Sequence, residues 1–66
     1  MEIEIIIFNE GKALNRIFKI AGLNMGRFGS TAEALRFDTE AEAQAALDTL
    51  PRATREGCSL QKFVKQ

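Results

Sequence analysis

Histidine, tryptophan and tyrosine are absent from this sequence, and cysteine and proline occur once each. Each absence excludes something. Without histidine, no side chain has an ordinary pKa near neutrality, so general acid–base catalysis lacks its commonest agent. A single cysteine, Cys58, cannot form an internal disulfide. A zinc site would have to combine that one thiolate with carboxylates, a set zinc sites rarely use. As a nucleophile Cys58 would need an adjacent base. Only Arg55 is near in sequence, so Cys58 reads as a small apolar residue at the start of a strand. Gly22, Gly26 and Gly29 match neither the dinucleotide fingerprint nor the P-loop, and no Gly-Lys-Ser/Thr is present. The expectation is a non-enzymatic chain with no cofactor and no metal.

Charge of one sign is also lacking. Nine basic residues balance nine acidic ones. That removes the simplest argument for nucleic-acid binding, a strongly basic chain, and equally the argument for a wholly acidic mimic of nucleic acid. Long apolar runs are missing as well. The longest, Ile5 to Phe8, is one strand's worth, so no membrane partner is expected. Met1-Glu2 opens no basic-then-apolar leader, and a lone thiol suits a reducing compartment, so the chain reads as intracellular.

The 66 residues, 1–66, are expected to form a single α+β domain. Glu2 to Phe8 alternates as a strand, with Ile3, Ile5 and Ile7 on one face and Glu2 and Glu4 on the other. Ile6 and Phe8 make its far end apolar on both faces, as in a central or doubly covered strand. Asn9-Glu10-Gly11-Lys12 is a turn, and a second strand over Ala13 to Ile20 would complete a hairpin. Ala13, Leu14, Ile17, Phe18 and Ala21 also have helical spacing, so a helix between Asn9 and Gly22 is the competing reading, opposed by Gly11 in its first turn and Asn15 in its middle. Gly22 to Gly29 reads as a loop.

Ser30 to Glu33 has capping-box spacing and predicts one helical turn, followed by a short extended Leu35-Arg36-Phe37. Thr39, with Glu42 reaching back to it, caps a helix from Glu40 to about Leu50, where Pro51 stops it. Its core stripe is Ala43, Ala46, Leu47 and Leu50. Arg52 to Gly57 reads as a polar connection, and Cys58 to Gln66 as a final strand, although Leu60, Phe63 and Val64 would also suit a short helix. The predicted architecture is a small, mainly antiparallel sheet of three or four strands with one amphipathic helix packed on it. The order is strand, strand, short helical turn, helix, strand.

The run Leu35-Arg36-Phe37-Asp38-Thr39-Glu40-Ala41-Glu42-Ala43, followed by Ala45-Ala46-Leu47 and Leu50-Pro51, resembles small proteins of phages and mobile elements. In these a Phe ends an extended piece, Asp-Thr starts a helix and an Ala-rich amphipathic helix follows. Asn9 to Arg16 is similar too. The resemblance implies a setting in which anti-CRISPR and other host-takeover proteins are frequent, and hence the cytoplasm of a bacterial host. It assigns no residue a role.

Two surfaces are left to carry a function. Acidic residues crowd one segment: Glu33, Asp38, Glu40, Glu42 and Asp48, with Ala41 and Ala45 between them allowing close approach. This face would suit a host protein complex with a basic, nucleic-acid-binding groove, contacted by a monomer or weak homodimer. Its sharpest form is an anti-CRISPR that blocks target-DNA binding by a surveillance complex. The second surface is the basic hairpin, Lys12, Arg16, Lys19 and Arg27 with Phe18 and Phe28, which would suit nucleic acid directly. A structural accessory role is the third reading.

Overall fold

A computed structural model describes residues 2–65. Met1 and Gln66, on which the leader reading and the end of the final strand partly rest, lie outside the described residues. The fold is α+β, as the sequence predicts. Four strands, β1 (Ile3–Asn9), β2 (Lys12–Ile20), β3 (Leu23–Gly29) and β4 (Cys58–Val64), form one antiparallel sheet in the order β3-β2-β1-β4. Helix α1 (Glu40–Leu47) covers one face, and a short α2 (Arg52–Glu56) precedes β4. Among the described residues no helix is long and apolar enough to cross a membrane.

The region from 10 to 21 resolves as the hairpin. Glu10 and Gly11 both have positive φ, which makes the two-residue turn that suits the twist of the strands it joins. Within the stretch Gly22 to Gly29, expected as a loop, Leu23–Gly29 is instead strand β3. Its glycines lower strand propensity, but each residue has a partner on β2. Gly26 also has a packing reason: a Cβ there would lie 3.1 Å from Leu14 Cδ1 and from the Phe28 ring. Arg52 to Gly57, expected as a polar connection, holds α2. Pro51 ends α1's continuation and pre-sets the start of α2, and Arg55 donates to the carbonyl of Asp48 at 3.2 Å.

The core lies between β1 and α1. Ile5, Ile7 and Leu14 meet Ala43, Leu47 and Leu50, with Ile17, Phe28, Leu35, Phe37, Cys58 and Leu60 around them. Thr39 Oγ1 accepts from the Glu42 N–H at 3.1 Å, as expected of the cap. The Glu42 carboxylate reaches one residue further back than expected, to the N–H of Asp38. The helix ends at Leu47 rather than Leu50, because the residue before Pro51 is disfavoured in helical geometry. Leu50 remains buried through a tight turn onto Leu47.

Two residues of β1 depart from their expected places. Ile3 shares the face of Ile5 and Ile7, which pack under the helix, yet it is 44% exposed. An eight-residue helix spans about 12 Å, and it does not reach the end of a seven-residue strand. Glu4 was expected on a solvated face, yet it is buried and paired with the Arg36 guanidinium. Arg36 comes from the extended Leu35–Phe37 strip. That strip exchanges both backbone hydrogen bonds with Ile5 through Phe37 (2.8 and 3.0 Å), and the Leu35 N–H donates to Leu14 at 2.9 Å. It therefore fills a gap between β1 and β2, which pair directly only at Phe8–Ala13 and Asn9–Lys12. Ile6 and Ala13 lie on the same face as Glu4 and are buried too, so β1 is covered on both sides.

Two measurements check this packing. Leu47→Ala should lower the unfolding free energy by about 2–4 kcal/mol, read from urea denaturation. Arg36→Ala strands a buried carboxylate and should cost about 1–3 kcal/mol. A double-mutant cycle with Glu4→Gln should recover most of that as coupling. A cycle with no coupling would show that Arg36 acts only through its aliphatic stem.

Candidate interaction surfaces

The hairpin β2–β3 owes its shape to one extra residue. Pairing shifts between Leu14 and Arg16, so Asn15 forms a bulge opposite the Phe28–Arg27 step of β3. The Asn15 side chain donates to the carbonyls of Ala13 (3.2 Å) and Ser30 (2.9 Å). The bulge inverts the alternation that follows. Leu14 faces α1, and regular alternation would put Arg16, Phe18 and Ile20 there as well. Instead Ile17 packs on the core, and Arg16, Phe18 and Ile20 turn to the outer face.

At the far end, Ala21 and Gly22 form a second two-residue turn with φ of 51° and 81°. Only glycine takes the second angle without strain, and Ala21 accepts a cost of about 1 kcal/mol for the first. The turn places Ile20 opposite Leu23, Phe18 opposite Met25 and Arg16 opposite Arg27. The outer face is thus three cross-strand pairs, cationic at the base and apolar towards the tip. Ile20 is 57%, Leu23 64% and Met25 37% exposed. The Arg16 guanidinium lies over the Phe18 ring, 5.4 Å from its centroid. On the other face Asn24 donates to Thr49 beyond the end of α1, which ties the hairpin to the body.

The basic surface read from the sequence divides between the two faces. Arg16 and Arg27 lie outside. Lys19 pairs with Asn24 and Lys12 with Asn9, on the helix side. Phe28 packs against the core. Phe18, on the outer face, has Arg16 over one side of its ring.

The predicted acidic surface also divides. Glu33 stands on the 3-10 turn Thr31–Glu33, beside Arg16 and Arg27 and apart from the helix. Asp38 lies 3.8 Å from Lys65 and Glu40 3.1 Å from Lys62, two lysines remote in sequence but near in space. Glu42 closes the helix cap, and Asp48 accepts from Gln44 at 2.9 Å. Glu42 and Asp48 have no cationic side chain within ion-pair distance among the described residues, and exposed Ala41 and Ala45 share their helix. Exposed pairs such as Lys62–Glu40 contribute little stability but do cancel charge. Two carboxylates are what remains of the five-acid face.

Reading 22–29 as a loop hid the outer face. A signal for it was present: apolar residues at 18, 20, 23 and 25 flank Ala21-Gly22 at two-residue hairpin spacing. Cys58 lies at the start of β4, where its thiol contacts the Thr54 carbonyl at 3.1 Å and the Asn9 side-chain nitrogen at 3.6 Å. No group of three or more metal-ligating side chains occurs among the described residues.

Because Leu23 and Met25 face solvent, replacing both with serine should change stability by no more than about 0.5 kcal/mol. A thermal unfolding curve superimposable on the parent's is the expected outcome. A large loss would mean that these side chains hold the fold rather than remain free for a partner. No protein-family model matches the chain, and no curated protein or solved structure matches it, so the functional reading rests on these surfaces.

Proposed function

We propose that the chain is a non-enzymatic binding protein that inhibits a larger protein assembly by occupying one of its surfaces. The observation that supports this reading is the outer face of the β2–β3 hairpin. Ile20, Leu23 and Met25 stand exposed side by side, with two arginines at their base. Apolar side chains gathered on a projecting element and bordered by charge are typical of protein-contact surfaces. A protein partner suits this face better than nucleic acid does. Aliphatic and thioether side chains give bases nothing to stack on, and Phe18 and Phe28 are both engaged.

In the phage or mobile-element setting that the sequence resembles, the partner is a host assembly in the bacterial cytoplasm. Blocking target-DNA binding by a CRISPR surveillance complex is the sharpest form. The Glu42–Asp48 side of α1, with Ala41 and Ala45, is then a second, weaker contact that would suit a basic groove. Direct nucleic-acid binding is the competing function.

The test adds the purified protein to surveillance complexes and measures their binding to target DNA at physiological salt. Loss of DNA binding that Leu23→Ser/Met25→Ser abolishes, and Glu42→Lys/Asp48→Lys weakens less, is the expected result. No effect on any complex would remove the anti-CRISPR form. Tight, salt-sensitive binding of the protein to DNA or RNA alone would favour the nucleic-acid function instead.

A further inference from the structure

The base of the hairpin holds an open pocket of about 510 Å³, lined by Asn15, Arg16, Arg27, Phe28, Ser30 and Glu33 along with Gly29. Its two arginines are direct cross-strand neighbours. Like charges placed this way repel each other, and proteins ordinarily offset them with a nearby acid. Among the described residues neither arginine has an ion-pair partner, although Glu33 also lines the pocket. The Asn15 bulge that sets this pair on the outer face is itself fixed, its side chain held by the Ala13 and Ser30 carbonyls. Two planar, five-donor guanidinium groups at a rigid bulge form a receptor for a group with paired oxygens.

From this geometry we infer that the pocket is an anion site, and that its ligand is the carboxylate of an acidic side chain on a partner protein. The inference rests on the proposed protein-binding function and names the chemistry of its anchor. Arg16 and Arg27 head the same outer row as the apolar pairs Phe18–Met25 and Ile20–Leu23, so the matching partner segment carries an acid beside apolar residues. Glu33 on the rim decides between anions. A single carboxylate between two arginines leaves the site near neutral in charge, whereas a run of phosphates would pass a fixed negative charge. Seated this way, the anion relieves the Arg16–Arg27 repulsion and fixes the register of the apolar contacts beside it.

The test is an NMR titration of the labelled full chain with three probes: a short peptide alternating glutamate and leucine, its glutamine counterpart, and oligothymidine. With the glutamate peptide, the side-chain Nε–H signals of Arg16 and Arg27 and the amides of Gly29 and Ser30 should shift. The glutamine peptide should bind roughly tenfold more weakly. Arg16→Gln and Arg27→Gln should each weaken the glutamate peptide to a similar degree. Lys12→Gln, which removes one charge from the same hairpin outside the pocket, should change affinity by less than about twofold. Equal losses in all three variants would overturn the pocket in favour of diffuse attraction. Shifts confined to Leu23 and Met25 would overturn it while leaving the protein-binding function standing. Preference for oligothymidine would overturn both, and no shift at either arginine with any probe would overturn the pocket.

Discussion

The backbone of Leu35, Arg36 and Phe37 holds the two halves of this fold together. β1 and β2 separate two pairs after their turn, leaving unpaired N–H and C=O groups on both strands. Buried polar backbone without partners would be costly in so small a core. The strip satisfies Ile5 from one side and Leu14 from the other. It also delivers Arg36 to Glu4, the one buried acid among the described residues. Because the gap is filled, the β2–β3 hairpin can diverge from β1 without opening the core. The divergence and the Asn15 bulge together make the outer face.

Elements set by local chemistry were legible in the sequence. The Thr39 cap, the Ser30 turn, the stripe of Ala43 and Leu47, and the turn at Glu10-Gly11 all depend on residues close together in the chain. What was not legible depends on partners far away in sequence. β3 looks like a loop until β2 pairs with it, because Gly26 and Gly29 are poor strand formers whose cost is met by cross-strand bonding. Glu4 looks solvated until Arg36 arrives from 32 residues away. α2 was hidden by its polar composition, which reads equally as a connection.

The same limit explains the candidate site. Charge counted along the chain gave an acidic segment from Glu33 to Asp48. In space, Lys62 and Lys65 stand beside Glu40 and Asp38. Counting along the chain also gave one basic hairpin surface, but strand alternation sends Lys12 and Lys19 to one face and Arg16 and Arg27 to the other. A single bulged residue determines that division. A regular ladder, with Asn15 paired in place of the bulge, would turn Phe18 and Ile20 inward and Ile17 outward, and the outer face would lose its apolar row.

Neutral total charge then takes on a different meaning. Residues 11–29 carry four cations and no acid, and residues 30–50 carry five acids and one cation. The molecule measures 40 Å along its longest axis. The Arg16–Arg27 row and α1 lie on opposite faces of the sheet, and screening at physiological salt extends about 8 Å, so a partner on one face meets its local charge rather than the balance of the whole. It meets either the arginine-based hairpin or the remaining carboxylates of α1. A chain with no net charge therefore presents locally charged surfaces, each able to orient a different partner chemistry. What distinguishes the two is apolar area. The α1 side offers Ala41 and Ala45, which permit close approach but bury little. The hairpin offers Ile20, Leu23 and Met25, whose burial would supply most of the free energy of association. Charge at the base of the hairpin can choose and align the partner, and the apolar tip can hold it. Both act through one rigid element anchored by the Leu35–Phe37 strip.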